Sequence, residues 1–591
     1  MNFTKPVLVL TTILIFFGFS SFEQINLRYE KNETFKYDEI IAAYKYLDKT
    51  YKEAKLFEVG MTDIGKPLHL FVISKDLDFN PESVHSKGKC VVFINNGIHP
   101  GEPPGIDASI QFSEDLLSGK DNLKELLNHT VICIVPIYNV GGCLNRSKYN
   151  RTNQDTPPKS GFRGNAQNLD LNRDFIKMDS KNARSLVKAF HKWKPEVFLD
   201  THVTNGSDHQ YVITLIPTIY QRLPEPMSKF FKEKMIPDLF SQMRKTPYEM
   251  IPYVNWLKGG SNPGQGIAAY YDAPRVSTGF TSAFNTYAFM TENHVYKEFK
   301  DQTKSVYLFI KALINFSNLH SEEIIQTKKE ADDQTIHAQQ FISKWKLDRS
   351  HAESLLFKGY EGGMVKSPVT GQMLYHYDRK RPYEKKVPFY RQFLPEDTIT
   401  KPEEYIIPQA WEKAIRHLQI NGVKLKRLAK DMEIEVDAYY LSSYEFSTRL
   451  NNGHFRINNV QTTKEMQKIR FYKGDYVVQM NQKANRFIME VLEPASGDSY
   501  LSWNFFNPVF ERREYFSPSG FESKAMEYLK ENTELKKEFE KKKLTDPNFA
   551  KNNYAQFSYI YNHSPYLEKS YLRYPVYRIE KNMDLPLEKG K

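Results

Sequence analysis

The chain has 591 residues, too many for one ordinary hydrophobic core, so more than one folded unit is expected. Hydrophobic residues at 40%, charged residues at 26% and the absence of a low-complexity tract exclude a disordered or fibrous chain. The formal charge of +11 would suit a polyanion, but Lys and Arg are dispersed and the densest run, 536–543, interleaves Lys with Glu; a solvated helical face is the plainer reading, and no nucleic-acid partner is expected.

The first 22 residues read as a signal peptide: Lys5, an apolar run from Pro6 to Phe19, then Ser20 and Ser21. That run is shorter than the ~20 apolar residues of a spanning helix, and no later run is long enough, so export without a transmembrane span in the mature chain is expected. Three cysteines, Cys90, Cys133 and Cys143, cannot build a disulfide framework; one bridge, Cys133–Cys143, is the most that fits, and buried thiols are the plainer reading.

From about 36 to 318 strands and helices alternate, the pattern of an α/β domain. Lys89 to Asn95 reads as a buried strand, followed by a helix with Ile106, Ile110 and Leu117 on one face. Thr130 to Val135 is the next strand, ending in a turn at Asn139-Val140-Gly141-Gly142. A helix over 180–193 stops before Pro195 and feeds a strand running to His202. A strand at 286–291 and a helix with Val306, Ile310 and Leu313 close this part. Such apolar strands predict a mixed, largely buried sheet. Polar helical sequence then runs to about 350 and a Gly/Pro/Tyr-rich stretch to 408; beyond it, 433–439 and the turn at Lys473-Gly474-Asp475 read as antiparallel strands. The expected organisation is a signal peptide at 1–22, a catalytic domain at 23–325, a helical and irregular linker at 326–408, and an α+β or β-rich accessory domain at 409–591.

Three clusters carry chemistry. In Gly97-Ile98-His99-Pro100-Gly101-Glu102, at a strand's carboxyl end, side chains three apart on one helical turn point the same way, so His99 and Glu102 can share a cation. An H-x-x-E also arises by chance, as at His320-Ser321-Glu322-Glu323, and His99 taken singly is more often structural than a ligand. However, His202 also ends a strand, where open α/β sheets bind ligands, and a His, Glu, His set leaves one coordination position for water, as catalytic zinc requires. The second cluster is Asn168-Leu169-Asp170-Leu171-Asn172-Arg173-Asp174. A charged loop is the bland account; the functional one has Arg173 bind a carboxylate bidentately, Asn172 add an amide donor, and Asp170 accept the second ring proton of a metal-bound histidine. The third is Glu292, a carboxylate ending an apolar strand, costly to bury unless paired or functional.

Taken in order, His99-Pro100-Gly101-Glu102, Asp170-Leu171-Asn172-Arg173, Asp200-Thr201-His202 and Glu292 resemble the zinc carboxypeptidase (carboxypeptidase A-like, funnelin) family over about residues 36–318. Tyr149-Asn150-Arg151-Thr152-Asn153-Gln154, followed by Gly161-Phe162-Arg163, is similar to a bacterial branch with a C-terminal extension. The resemblance implies a mixed eight-stranded sheet between helices, and one zinc held by His99, Glu102 and His202. It also implies a carboxylate clamp of Asn172 and Arg173, Glu292 as catalytic base, and an arginine that polarises the scissile carbonyl, Arg151 in preference to Arg163. For the family's substrate-capping tyrosine, Tyr270 and Tyr271 are at a suitable distance before Glu292, but core aromatics are the favoured reading.

The expected function is therefore an exported zinc metallocarboxypeptidase acting on peptides or peptidoglycan peptides. A zinc acylase, deacylase or stem-peptide hydrolase is the competing enzyme, and an inactive peptide- or glycan-binding protein the competitor from another class. The sequons at Asn150 and Asn205 fall in the expected active site, where a glycan would block access, which fits a bacterial periplasmic or extracellular location better than a eukaryotic secretory route.

Overall fold

The computed structural model describes residues 25–204, 206–257 and 266–588; the expected signal peptide lies outside the described residues. Eight strands form the central sheet: β1 (Ala54–Met61), β2 (Pro67–Ile73), β3 (Cys90–Asn95), β4 (Thr130–Val135), β5 (Val197–Thr204), β6 (Ile213–Pro217), β7 (Met250–Pro252) and β8 (Tyr287–His294). Their order is β1-β2-β4-β3-β5-β8-β6-β7. β4, β3, β5 and β8 run parallel, while β1, β2 and β6 pair antiparallel with their neighbours or with β8. The sheet is mixed, as expected.

Period-2 geometry sorts the unbroken apolar strands onto two cores. Val92 and Ile94 of β3 join the cluster with Phe112, Val306, Ile310 and Leu313, whereas Val91 and Phe93 join the one with Leu186, Val187, Phe190 and Trp193. The helices supplying those residues are α1 (Pro104–Ser118), α2 (Lys181–Trp193) and α3 (Phe299–Leu319). α2 ends as its sequence requires, with Lys194 left-handed at φ +44° one residue before Pro195.

Expectation and structure differ at several points. The turn foreseen at 139–142 opens a short helix, Val140–Leu144, capped by the Asn139 side chain on the Gly142 N–H at 2.8 Å. The polar helical sequence ends earlier than expected, as α4 (Ser321–His337). The stretch read as irregular is instead β9 (Gln340–Leu347), β10 (Glu353–Lys366), β11 (Met373–Tyr390) and β12 (Phe393–Thr400). β10 and β11 form one long hairpin whose residues are mostly exposed on both faces, so hydrophobic alternation never marks them as strands. Its base meets the sheet's loops, with Gln210 donating to the carbonyls of Gly359 and Tyr383.

Beyond 400 the chain forms a six-stranded sheet, including the long pair Met432–Phe446 and Ile457–Phe471, together with helices such as α5 (Asn485–Leu492). Its apolar residues Tyr405, Leu418, Phe487, Tyr500 and Trp503 belong to the same cluster as Phe93 of β3, Phe190 of α2 and Phe175 between them. All three cysteines are free and buried. The Cys133–Cys143 bridge is therefore absent: Cys133 packs with one cluster and Cys143 with the other, on opposite sides of the sheet.

Candidate metal centre

β3, β5 and β8 are parallel neighbours, so their carboxyl ends share one edge of the sheet. β3 pairs with β4 on one side and β5 on the other, which makes that edge a topological switch point where a crevice opens. The register aligns Asn95 with Asp200 and His202 with Glu292. Gly97, left-handed at φ +65°, turns the chain out of β3; a side chain there would run into Ile137. Gly105 lets α1 approach β5, since a Cβ at that position would overlap Thr201.

His99 and Glu102 do not sit on a helical turn, as their spacing suggests. They occupy a turn closed by the Glu102 N–H on the His99 carbonyl at 2.9 Å, and α1 begins only at Pro104. Pro103 and Pro104 set that start, because proline favours the first helical position and has no N–H to give to a preceding turn. The result is the same convergence. Ligand atoms of His99, Glu102 and His202 all lie within 4.8 Å of one another, and all three residues are buried. The rings stand edge-on with centroids 4.9 Å apart.

Each imidazole is oriented through its far nitrogen. His99 Nε2 is 2.9 Å from Asp170 Oδ1, and His202 Nε2 is 3.0 Å from Asp200 Oδ2. Carboxylates at those positions hold the ring proton on Nε2 and leave Nδ1 with a lone pair turned inward. His202 Nδ1 faces Glu102 Oε2 at 3.0 Å, and His99 Nδ1, 3.3 Å from Glu102 Oε1, is a buried nitrogen without a hydrogen bond. Two inward imidazole nitrogens, one of them orphaned, and a carboxylate form a donor set that fits zinc.

Asp170 was foreseen as the partner of a metal-site histidine; Asp200, the equivalent for His202, was missed, although it stands two residues before it in the same strand. Asp200 also accepts from Ser277 Oγ at 2.5 Å. Asp170 is in turn braced by the far part of the chain: its N–H donates to Asn452 Oδ1 at 2.7 Å and its carbonyl accepts from Asn452 Nδ2 at 3.1 Å. No local signal could have found Asn452, which is 282 residues away.

Charges around the site are strongly interdependent. Burial pushes the Glu102 carboxyl up, but Arg151 and the two histidines outweigh it and hold it well below the usual carboxylate range. Asp170 is likewise held low, against its burial, by His99, Arg163 and Arg173. His202 lies well above the ordinary histidine range, because Asp200 and Glu102 outweigh the desolvation that would lower it. Glu292 behaves oppositely: burial pushes it up to about 8, with Glu102 adding to the rise and His202 and Arg151 opposing it.

The remaining expected residues open onto the same cavity of about 460 Å³, which Arg151, Arg163, Asn172, Arg173 and Glu292 line with His99, Glu102 and His202. Arg151 Nη1 is 2.5 Å from Glu102 Oε1, and its Nη2 donates to the Val203 carbonyl at 3.0 Å. Arg163 forks onto Asp170 Oδ2 at 3.1 and 2.9 Å. The Asn172 side-chain Oδ1 accepts from the Ser277 N–H at 2.9 Å, and Arg173 Nη1 donates to the Asn172 backbone carbonyl at 2.7 Å. The paired tyrosines part company: Tyr270 lines this cavity with Tyr253, which sequence reasoning missed, while Tyr271 faces a different one. Tyr253 bonds Thr204 Oγ1 at 3.0 Å, and burial pushes its phenol up to about 12.

A family model for zinc carboxypeptidase matches residues 40–204, which contain His99, Glu102 and His202. Residues 40–204 are thus a zinc carboxypeptidase domain. The chain is a hydrolase acting on peptide bonds. Among curated proteins, this carboxypeptidase is 22% identical to carboxypeptidase 2 of Trichophyton equinum over 437 residues, covering 71% of this chain and 74% of the relative. It is also 22% identical to carboxypeptidase 2 of Trichophyton rubrum, with the same coverage. Solved structures similar to it include a metallo-carboxypeptidase from Burkholderia cenocepacia, with 15% identity, a TM-score of 0.35, and coverage of 48% of this chain and 69% of that one. Thrombin activatable fibrinolysis inhibitor matches at 15% identity and TM-score 0.37, covering 50% of this chain and 78% of the other.

Proposed function

We propose that this carboxypeptidase is an exported enzyme that removes single residues from the C-termini of peptides, with zinc held by His99 Nδ1, Glu102 and His202 Nδ1. The observation that carries the reading is the opening of this donor set, Glu292 and Arg173 into one cavity. When bound, zinc polarises a water and the scissile carbonyl.

In the proposed reaction Glu292 takes the proton from the attacking water and passes it to the leaving amine. Its register position beside His202 and its raised proton affinity suit a group that must accept and then release a proton. Arg151 stabilises the oxyanion developing at the carbonyl, with Arg163 second in reach. Arg173 and the Asn172 amide bind the free carboxylate, which makes the enzyme exo-acting. Asp170 and Asp200 hold the two imidazoles. Ile216 and Met290 line the cavity beside Tyr253 and Tyr270, and among the described residues no acid beyond Glu102 and Glu292 does, which favours an apolar side chain on the residue released. Among the described residues no helix is long and apolar enough to cross a membrane.

The test is mass spectrometry of digests from a peptide library varied at the C-terminus, alongside C-terminally amidated copies, N-acyl amino acids and muropeptides, each with and without a chelator. Expected are chelator-sensitive losses of single apolar residues from free C-termini. Cleavage undiminished by amidation would sink the carboxylate clamp, and turnover confined to N-acyl amino acids or muropeptides would replace this reading with the acylase or stem-peptide one.

A further inference from the structure

A second cavity, of about 250 Å³, lies between the catalytic sheet and the later part of the chain. Its wall includes Gln221, Tyr271, Ser343 and Trp345, together with Arg486 and Glu490 of α5. It is smaller than the ~300–1,000 Å³ typical of pockets for drug-sized ligands, so its occupant must be small.

The polar groups facing this space are under-used. Arg486 and Glu490 are four residues apart on one helix, close enough to pair, yet neither forms an ion pair among the described residues. Arg486 donates one hydrogen bond, to the Ser282 carbonyl at 3.2 Å, out of five available N–H groups. Arg222, whose charge is balanced by Asp272 at 3.6 Å, lines the same cavity. Burial and that neighbouring cation push Arg486 down to about 9, against the smaller opposing pull of Asp332. Glu490 is pushed up to about 7 by burial and by Asp498, although Arg222, the Asp498 N–H and Arg275 oppose the rise. Gln221 Oε1 and Ser343 Oγ are buried and have no hydrogen-bond partner at all. Buried polar groups are nearly always satisfied; two unpartnered oxygens and an arginine with N–H groups to spare, gathered with a carboxylate around one space, mark a place for a ligand.

We propose that this cavity is a binding site for a small zwitterion, a free α-amino acid, whose carboxylate pairs with Arg486 and whose ammonium pairs with Glu490. Gln221 Oε1 and Ser343 Oγ complete the polar contacts, and Trp345 and Tyr271 enclose an apolar side chain. The argument is independent of the metal centre. Tyr271 nevertheless follows Tyr270, which lines the catalytic cavity, so the two sites share a peptide segment. If the chain acts as proposed above, the ligand is of the same class as the residue it releases.

The experiment is titration calorimetry of the full-length, zinc-loaded enzyme with L-leucine, 4-methylpentanoate and 3-methylbutylamine. The proteins are wild type, Arg486→Gln, Ser343→Met, which fills the cavity from β9, and Arg173→Gln, which disables the proposed catalytic clamp. Expected is a leucine-binding event kept in Arg173→Gln and weakened at least tenfold in both Arg486→Gln and Ser343→Met, with their kcat/KM on peptides unchanged when no amino acid is added. The acid and the amine should each bind at least tenfold more weakly than leucine. Leucine heats that vanish in Arg173→Gln, or that survive both cavity variants, would overturn the site. Equal binding of 4-methylpentanoate would overturn its assignment to a zwitterion. Should Arg486→Gln melt at a lower temperature, Ser343→Met decides.

Discussion

Glu292 stands beside His202 across two parallel strands, half-buried, with its proton affinity raised by the loss of water around it. A group so placed is expensive to keep charged unless a cation is near, which is the condition a metal and an attacking water would supply. Glu292→Gln keeps the shape and removes the proposed base. Peptide turnover should fall by roughly 10²–10⁴-fold, the usual worth of general base catalysis, while zinc content measured by atomic absorption stays at the wild-type level. Turnover near wild type would remove Glu292 from the reaction. The carboxylates behind the imidazoles act differently. Asp200→Asn leaves His202 without the charge that fixes its tautomer, so zinc affinity in a competition titration with a chromogenic chelator should drop about 10–100-fold. An unchanged affinity would mean that the strand alone orients the ring.

At the scale of elements, α1 carries an unusual burden. Asp107 lies fully buried one turn into the helix, accepting from Thr34 Oγ1 at 2.5 Å while its other oxygen has no partner. Burial pushes its carboxyl up to about 8, although Thr34 and Arg146 oppose the rise. In the unfolded chain an aspartate releases its proton near pH 4. The folded state therefore binds more protons than the unfolded one between about pH 4 and 8, and the stability linked to this group is complete below pH 4 and lost as the pH rises toward 8. Asp107→Asn abolishes the titration. The unfolding free energy of the variant relative to wild type, from denaturant titrations, should climb steadily from pH 4.5 to 8, at no more than ~1.4 kcal/mol per pH unit. A constant difference across that range would show that Asp107 ionises normally. The same helix illustrates how far spacing can be trusted. The H-x-x-E spacing correctly predicts that His99 and Glu102 converge, yet Pro103 and Pro104 at the start of α1 turn the supposed helical pair into a preceding turn. β3, β4, β5 and α2 are legible because apolar runs and Pro195 mark them. The β10–β11 hairpin is not, because its two exposed faces carry no alternation for burial to have selected.

Over the whole molecule, the expected boundary near 408 is crossed by a single apolar cluster that holds Phe93 and Phe190 on one side and Phe487 and Trp503 on the other. Asn452 crosses it too, gripping the backbone of Asp170 beside His99. Ending the chain at 408 should therefore leave an insoluble or molten product rather than a free-standing enzyme. The milder Trp503→Ala, which empties a fully buried site, should cost about 3–5 kcal/mol and lower the denaturant midpoint of the full chain. A soluble, active fragment 25–408 would show that the later region is a separable domain after all.

What the amino-acid order determined by itself is the chemistry on offer: which imidazoles, carboxylates and guanidinium groups end apolar strands, and in what sequence. That follows from local rules, since strand ends and turns are decided by neighbours a few residues apart. Only the packed chain decided which of those groups meet. Asp200 behind His202, Asn452 behind Asp170 and the unsatisfied walls of the second cavity depend on contacts between elements up to hundreds of residues apart, and such distances leave no period or spacing to read.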